Sequence, residues 1–449
     1  MMKMLLLIFC LLTTLDSHAD LNSTLDKYSS GDYSSAYQEF LSMAKMGEKD
    51  SQFNLGVMYY HGQHIEKDIN KAYAWMKLAT QSDNSRPKLE KLFQSVALTI
   101  EDKTQAEAEY KQLDSLYSTD TLLYELYPVF VEPKGENAFE AIPKTIVEPK
   151  WPRKALNRGI QGYVRVQFDV DKTGAPRNIE MITAIPEKIF NKTSLDAVQK
   201  WRFKVNQDNS DESNKQLHYT MEFRLEGLDA PTINDKLYTQ TELAAYKGDA
   251  IAQFKIGYWD KTLKQSRSNI NPNEWFLKSA IQGHPSAQYE IGVNLVRGRG
   301  CIIDKTKGLD WLIRSAASGE RRAKHLLASI ASKMSDIDSH RRAIQLYSEV
   351  VKLTNSARLD YAWLLATTPF VELSNPTKAI ELSEEFSSKT FRDDATLYEI
   401  KAASYAAMGN FKKAISYQKD ALDEAEDMGA DLTDIEDHLE SYRSNKKWF

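Results

Sequence analysis

Two periodicities divide this chain. Over most of its length apolar residues recur three and four apart, the spacing of helices that bury one face. Near the middle the spacing changes. Tyr163–Val170 (YVRVQFDV) alternates apolar and polar residues with period two, and so does His218–Leu225 (HYTMEFRL). Asn178–Ile185 (NIEMITAI) reads as another strand, and Asp171-Lys172-Thr173-Gly174 between the first two has turn chemistry, with Gly174 suited to positive φ. Phe190–Val198 has helical spacing and runs into Trp201-Arg202-Phe203. With a short helical piece before Tyr163, the order is helix, strand, strand, helix, strand. That order predicts a small α+β island with a three-stranded antiparallel sheet inside an otherwise helical chain.

The helical parts repeat themselves. AQFKIGYWDK (Ala252–Lys261) matches AQYEIGVNLV (Ala287–Val296), and EWFLKSAIQGH (Glu274–His284) matches DWLIRSAASGE (Asp310–Glu320), each pair about 35 residues apart. A third copy is SQFNLGVMYYHGQHIEKDINKAYAWMKLAT, Ser51–Thr80. In each copy a glycine of the first helix (Gly56, Gly257, Gly292) allows close approach of the second. That second helix turns a tryptophan (Trp75, Trp275, Trp311) and an alanine (Ala79, Ala280, Ala316) inward. One helix pair cannot bury both of its faces, so the copies must stack. These segments resemble Sel1-like repeats. The likeness is good in Ser51–Thr80 and Ala287–Gly319 and looser in Ala252–Gly283, where DKTLKQSRSNINPN replaces the Gly-x-Gly loop. Beyond Arg321, DYAWLLA, PTKAIELSEE, Leu397–Met408 and Phe411–Ala425 read as two more helical hairpins. Tyr398–Ala425 resembles a tetratricopeptide repeat, with Gly409-Asn410 as its turn and Ala414 and Ala421 on its small inner face. Asp434–Lys447 is expected to be a capping helix.

The island resembles the TonB C-terminal domain. The likeness rests on Trp151-Pro152 with Ala155, Gly159, Gly162-Tyr163-Val164, Val166, Phe168-Asp169-Val170, Gly174 and Ala197-x-x-x-Trp201-Arg202-Phe203. It covers about 80 residues. Two departures stand out: Trp151 where the family has Tyr, and an enlarged acidic loop at Lys204–Gln216. The resemblance implies binding rather than catalysis, by pairing an edge strand with an extended segment of a TonB-dependent outer-membrane transporter. The partner would then lie along His218, Tyr219, Thr220, Met221, Glu222 and Phe223, and would touch Glu148, Pro149, Trp151 and Pro152. Trp201 reads as a core aromatic, whereas Trp151 reads equally as core or as partner contact. About five main-chain bonds at ~1 kcal/mol net each give a weak-to-moderate complex.

The expected organisation is a signal peptide at 1–19, repeats at 20–125, a linker at 126–146, the island at 147–227, a linker at 228–235, Sel1-like repeats at 236–356 and tetratricopeptide-like repeats at 357–449. In MMKMLLLIFCLLTTLDSHAD, Lys3, the apolar run Met4–Leu15 and Ser17-His18-Ala19 have the form of a cleavable export signal. A dozen apolar residues give ~18 Å of helix, short of the ~30 Å hydrocarbon core. The expected location is periplasmic; an uncleaved N-terminus would instead tie the chain to the inner membrane.

Composition adds mainly exclusions. The chain of 449 residues has 42% hydrophobic and 27% charged residues and a net charge of −5, which advertises neither nucleic acid nor an anionic membrane. Once the signal is removed, Cys301 is the sole cysteine, expected as a buried structural thiol. His61 and His64 are expected in an inter-helix loop without the further ligands a metal needs. No nucleophile elbow, phosphate loop or zinc motif occurs, so neither catalytic residues nor a cofactor is expected. The leading reading is a periplasmic interaction scaffold. An energy-transducing component of TonB-dependent transport, a peptidoglycan-modifying enzyme and a purely structural spacer are the alternatives. The first of these needs a retained membrane helix and a long Pro/Lys-rich spacer, which a chain with 13 prolines lacks.

Overall fold

The structure, a computed structural model, describes residues 21–80, 87–131, 143–170, 174–186, 188–204, 217–225, 235–262, 271–352, 355–385, 395–428 and 432–449. The export segment 1–19, the turn residues 171–173, all but Lys204 of the enlarged loop, most of both linkers and the turn at Gly429 lie outside the described residues. The chain forms two compact units, one of residues up to 136 with 234–323, the other of 137–233 with 324–449.

In the first unit the repeats form as helix pairs. Lys49–His61 packs on Ile69–Thr80, Ala250–Thr262 on Pro272–Ile281, and Pro285–Arg297 on Lys305–Ala317. The expected glycine contacts are present. A Cβ on Gly292 would stand 2.8 Å from Leu312 Cγ, and one on Gly257 2.9 Å from Trp275 Cβ. Trp75, Trp275 and Trp311 are buried beneath them. A further device recurs with the repeat. Gln52, Gln253 and Gln288 donate Nε2 to the carbonyls of Ala44 (3.0 Å), Ala245 (3.1 Å) and Ala280 (3.1 Å). Each carbonyl lies in the last turn of the preceding helix and also accepts from the backbone N–H of the glycine just beyond it, Gly47, Gly248 or Gly283.

The segment after helix Thr119–Glu125 is built into this unit. Trp311 Nε1 donates to Leu126 O (2.9 Å), and Lys307 Nζ to Leu123 O (2.8 Å) and Tyr127 O (3.1 Å). Val131 N donates to Gly300 O and Ile302 N to Val129 O, and Phe130 and Cys301 form an antiparallel bridge. Residues 126–131, expected as the start of a linker, are therefore clasped onto the second group of repeats. Cys301 is buried in this clasp, and burial pushes its thiol up to about 11. His61, expected in a loop, is the last residue of helix Lys49–His61. His64 does lie in the loop, with φ 67° and its ring 5.6 Å from that of Tyr37.

In the second unit, Asn355–Thr367 pairs with Pro376–Glu384 and Ala395–Ala407 with Phe411–Met428. Ala402, Ala403, Ala414 and Ala421 are fully buried at the crossings, which lets the helix backbones approach closely. The capping helix spans Thr433–Arg443 and stops short of Lys447. Asn445 turns the chain with φ 54°, and Trp448 stacks on His438 at 3.9 Å.

The island has the expected order with one addition. Its strands are β1 (Pro143–Thr145), β2 (Gly162–Val170), β3 (Pro176–Ile185), β4 (Arg202–Phe203) and β5 (Leu217–Phe223). The main sheet runs β3–β2–β5, antiparallel throughout. The short β1–β4 ladder was not anticipated. Val164, Val166 and Phe168 of β2 and Met221 and Phe223 of β5 form the core with Phe190, Val198, Trp201 and Phe203. Alternation in β2 predicts a half-buried strand, but its second face is covered too, with Tyr163 4% and Gln167 2% exposed.

Candidate strand-binding edge

The site begins with what holds β5 in place. Its residues face β2 in register, from Gly162 opposite Phe223 to Phe168 opposite Leu217. Since strand residues alternate faces, Leu217, Tyr219, Met221 and Phe223 share the core face with Val164, Val166 and Phe168. His218, Thr220 and Glu222 lie opposite Gln167, Arg165 and Tyr163 on the second face. Among the described residues β5 is paired along one side only, which makes it an edge strand.

The expected contact residues divide by this geometry. Met221 and Phe223 are buried in the core and offer a partner their backbone rather than their side chains. Tyr219 is on the core face but 42% exposed, with its ring 4.6 Å from that of Trp201. Glu222 is exposed, and Thr220 is half-buried, accepting from Arg165 Nη1 at 3.5 Å. Arg165, which positions Thr220, was not anticipated from the sequence; no spacing signal marks a side chain that acts across the sheet.

The second group lies on a strap. Trp201 Nε1 donates to Val147 O at 2.8 Å, and Thr193 Oγ1 donates to Lys150 O. Together with the β1–β4 ladder these bonds draw residues 143–152 across the domain. Glu148 is exposed and Pro149 half-buried along it. Pro152 is the N-cap of the short helix Arg153–Asn157, its φ of −62° compatible with helix entry. Trp151 packs edge-on against Phe223 (5.7 Å) and Phe190 (6.1 Å), so it is tied to the core beside the end of β5. The strap thus brings Trp151 to the strand expected to bind, which sequence spacing could not establish.

The close fit at the far end depends on Gly174. It holds φ 80°, and its carbonyl accepts from Phe203 N at 2.9 Å. A Cβ there would collide with Phe203 O. Among the described residues no cluster of three or more His, Cys, Asp or Glu side chains could hold a metal. What this geometry can do is offer the unpaired side of one strand, beside a pinned aromatic, to another extended chain.

An edge strand on a small α+β domain, set in a chain of helical repeats, defines a protein–protein interaction module. Comparison with known proteins finds likenesses over parts of the chain. Residues 147–225 match the profile described as the Gram-negative bacterial TonB protein C-terminal region, and residues 49–84 and 285–320 match the Sel1 repeat. The TonB protein of Yersinia enterocolitica is 34% identical over 65 residues, 14% of this chain and 26% of that protein. That of Klebsiella pneumoniae is 28% identical over 102 residues, 23% of this chain and 38% of that protein. The chain therefore spans between about a quarter and two fifths of the length of these curated relatives. A solved Sel1 repeat protein from Oxalobacter formigenes aligns with 47% of this chain and 91% of that one at 17% identity and a TM-score of 0.34, too loose a likeness to carry weight. The chain carries a TonB C-terminal domain and Sel1 repeats, both families of non-catalytic binding modules. TonB-family proteins act in the cell envelope.

Proposed function

We propose that this protein is a periplasmic interaction scaffold, exported through a cleaved signal at residues 1–19. Its TonB-type domain takes an extended strand of an outer-membrane transporter along β5, and its helical repeats hold a second envelope protein. The observation that carries the reading is the one-sided pairing of β5, which leaves main-chain donors and acceptors for a further strand. Trp151 is supported as a flanking contact by its position at Phe223. Glu148, Pro149 and Pro152 belong to the same strap, and Glu222 supplies an exposed charge for register. Among the described residues no helix is long and apolar enough to cross a membrane.

The test is retention of envelope proteins by the tagged full chain, with Thr220→Pro and Thr220→Ala run in parallel. Proline removes a main-chain donor from β5, while alanine leaves the backbone intact. Loss of a TonB-dependent transporter with Thr220→Pro alone supports strand pairing. Retention of the same partners by the wild type and both variants would assign all binding to the repeats and overturn the reading.

A further inference from the structure

The outer face of the clasp is apolar where a solvated loop would be polar. Its antiparallel bridge, Phe130 to Cys301, is flanked by bonds from Val131 N to Gly300 O and from Ile302 N to Val129 O. Bonds in those flanking positions make Phe130 and Cys301 a non-hydrogen-bonded pair. The N–H and C=O of Phe130 therefore point away from Cys301, to the outside of the ribbon. Among the described residues neither group has a main-chain partner. Side chains alternate faces along such a ribbon, so Cys301 turns inward and is buried, while Val129, Val131 and Ile302 turn out. These three and the adjoining Ile303 are between 39% and 60% exposed. The ribbon is also fixed before any partner arrives, since Trp311 and Lys307 hold the carbonyls of Leu126 and Tyr127 just before it. Residues 126–131 and 300–303 carry no charged side chain, the usual guard of an exposed edge.

We propose that residues 129–131 are a self-association site, pairing antiparallel with the same residues of a second copy about a twofold axis at Phe130. The choice of occupant follows from the geometry. Two outward-pointing Phe130 residues exchange both of their main-chain bonds, which is the hydrogen-bonded pair of an antiparallel ladder. Pro128, the previous residue on that side, has no N–H and ends the pairing there. The same register sets Val129 of one copy beside Val131 of the other, in the pairs where side chains lie closest. It thereby joins the two apolar faces into one, with Ile302 of each copy alongside. A contact of this isologous kind closes at two copies. Four such side chains offer on the order of 300 Å², well under the ~800 Å² that a standard interface takes from each partner. The pair is therefore weak and concentration-dependent. It carries two β5 edges and gains avidity wherever β5 binds, but the contact itself does not depend on that binding.

Sedimentation velocity of the full chain over ~1–100 μM, the range of weak interfaces, reads this directly. The wild type should pass from monomer to dimer as concentration rises. Val129→Lys and Ile302→Glu alter exposed side chains and leave the main-chain bonds of the clasp to form. Each should weaken association by about tenfold or more with far-UV circular dichroism unchanged. Ile302→Glu keeps the test decisive if Val129→Lys fails to fold. Adding Val131→Glu to Val129→Lys should restore the dimer, because the register sets each lysine beside the glutamate of the other copy. Thr220→Pro should leave the dimer intact, since β5 takes no part in it. The proposal is overturned by a wild type that stays monomeric throughout, or by association that both single variants leave unchanged. A double variant no better than Val129→Lys, or loss of the dimer with Thr220→Pro, overturns it as well.

Discussion

Trp201 in the island and Trp311 in the repeats make the same bond in two different settings. Each is fully buried, and each donates Nε1 to a main-chain carbonyl, Val147 O at 2.8 Å and Leu126 O at 2.9 Å. Around Trp201, however, the neighbours come from across the whole domain: Phe168, Phe203 and Tyr219 by ring contact, with Val147 from the strap. Trp311 sits in a helix whose close partner, Pro285–Arg297, is its sequence neighbour. The contrast separates two ways of building a stable body. The island has a single core to which β2, β5, helix Asn191–Val198 and β4 all contribute. The repeats distribute burial over neighbouring pairs, so damage to one pair stays local.

The largest test of that contrast compares two glycines. Gly174→Ala combines φ 80° with a collision at Phe203 and should unfold the island, seen as loss of its tertiary NMR signals while far-UV helicity persists. Gly292→Ala meets Leu312 Cγ at 2.8 Å and Gly308 O at 3.0 Å in an ordinary helical conformation. It should cost ~1–3 kcal/mol and loosen one helix pair. Equal, mild effects in hydrogen exchange would break the comparison.

Acid should discriminate next. Burial by itself would raise Glu320, but Arg322 and Ser286 bring it from 4.5 down to about 2. Glu290, buried beside Lys261 and Arg322, is also held below its ordinary value despite its burial. Because the folded values are depressed, this stabilisation is complete above pH 4.5 and is lost as pH falls through about 2. For Glu320 it is on the order of 3 kcal/mol. In the island Tyr163 shifts the opposite way, pushed up to about 12 by burial, and is silent in acid. Hydrogen exchange between pH 5 and pH 2 (roughly the span of a depressed carboxylate) should therefore expose residues 285–322 before β2. The smallest expected difference comes from Trp201→Phe and Trp311→Phe. Each removes one hydrogen bond at a cost of ~1 kcal/mol plus lost packing. Thermal denaturation of Trp201→Phe should lower the transition of the whole island, and that of Trp311→Phe should broaden the transition of the repeats.

Much of the architecture was legible because it is written in local periods. The helix pairs, their glycine contacts, the three strands and the fully buried Trp201 all follow from spacings of two or of three and four residues, repeated within about 35 positions. The resemblance to the TonB C-terminal domain added the expected edge. The recurring Gln52, Gln253 and Gln288 were present in SQF, AQF and AQY, but their role needed the preceding helix end to be in place.

Contacts between residues far apart in the chain were decided by the tertiary structure alone. Residues 126–131 read as linker because their partners, Gly300 to Trp311, lie some 170 to 185 positions away. The strap's β1–β4 ladder joins three residues to two, too short for any periodicity to register. The place of Trp151 beside Phe223 is set by the strap and by no spacing in the sequence. Alternation in β2 determined which residues share a face, and so identified the polar row from Tyr163 to Asp169. Whether that row meets water or protein depends on packing against elements that β2 does not encode, since a two-residue period carries no information about what lies beyond the sheet.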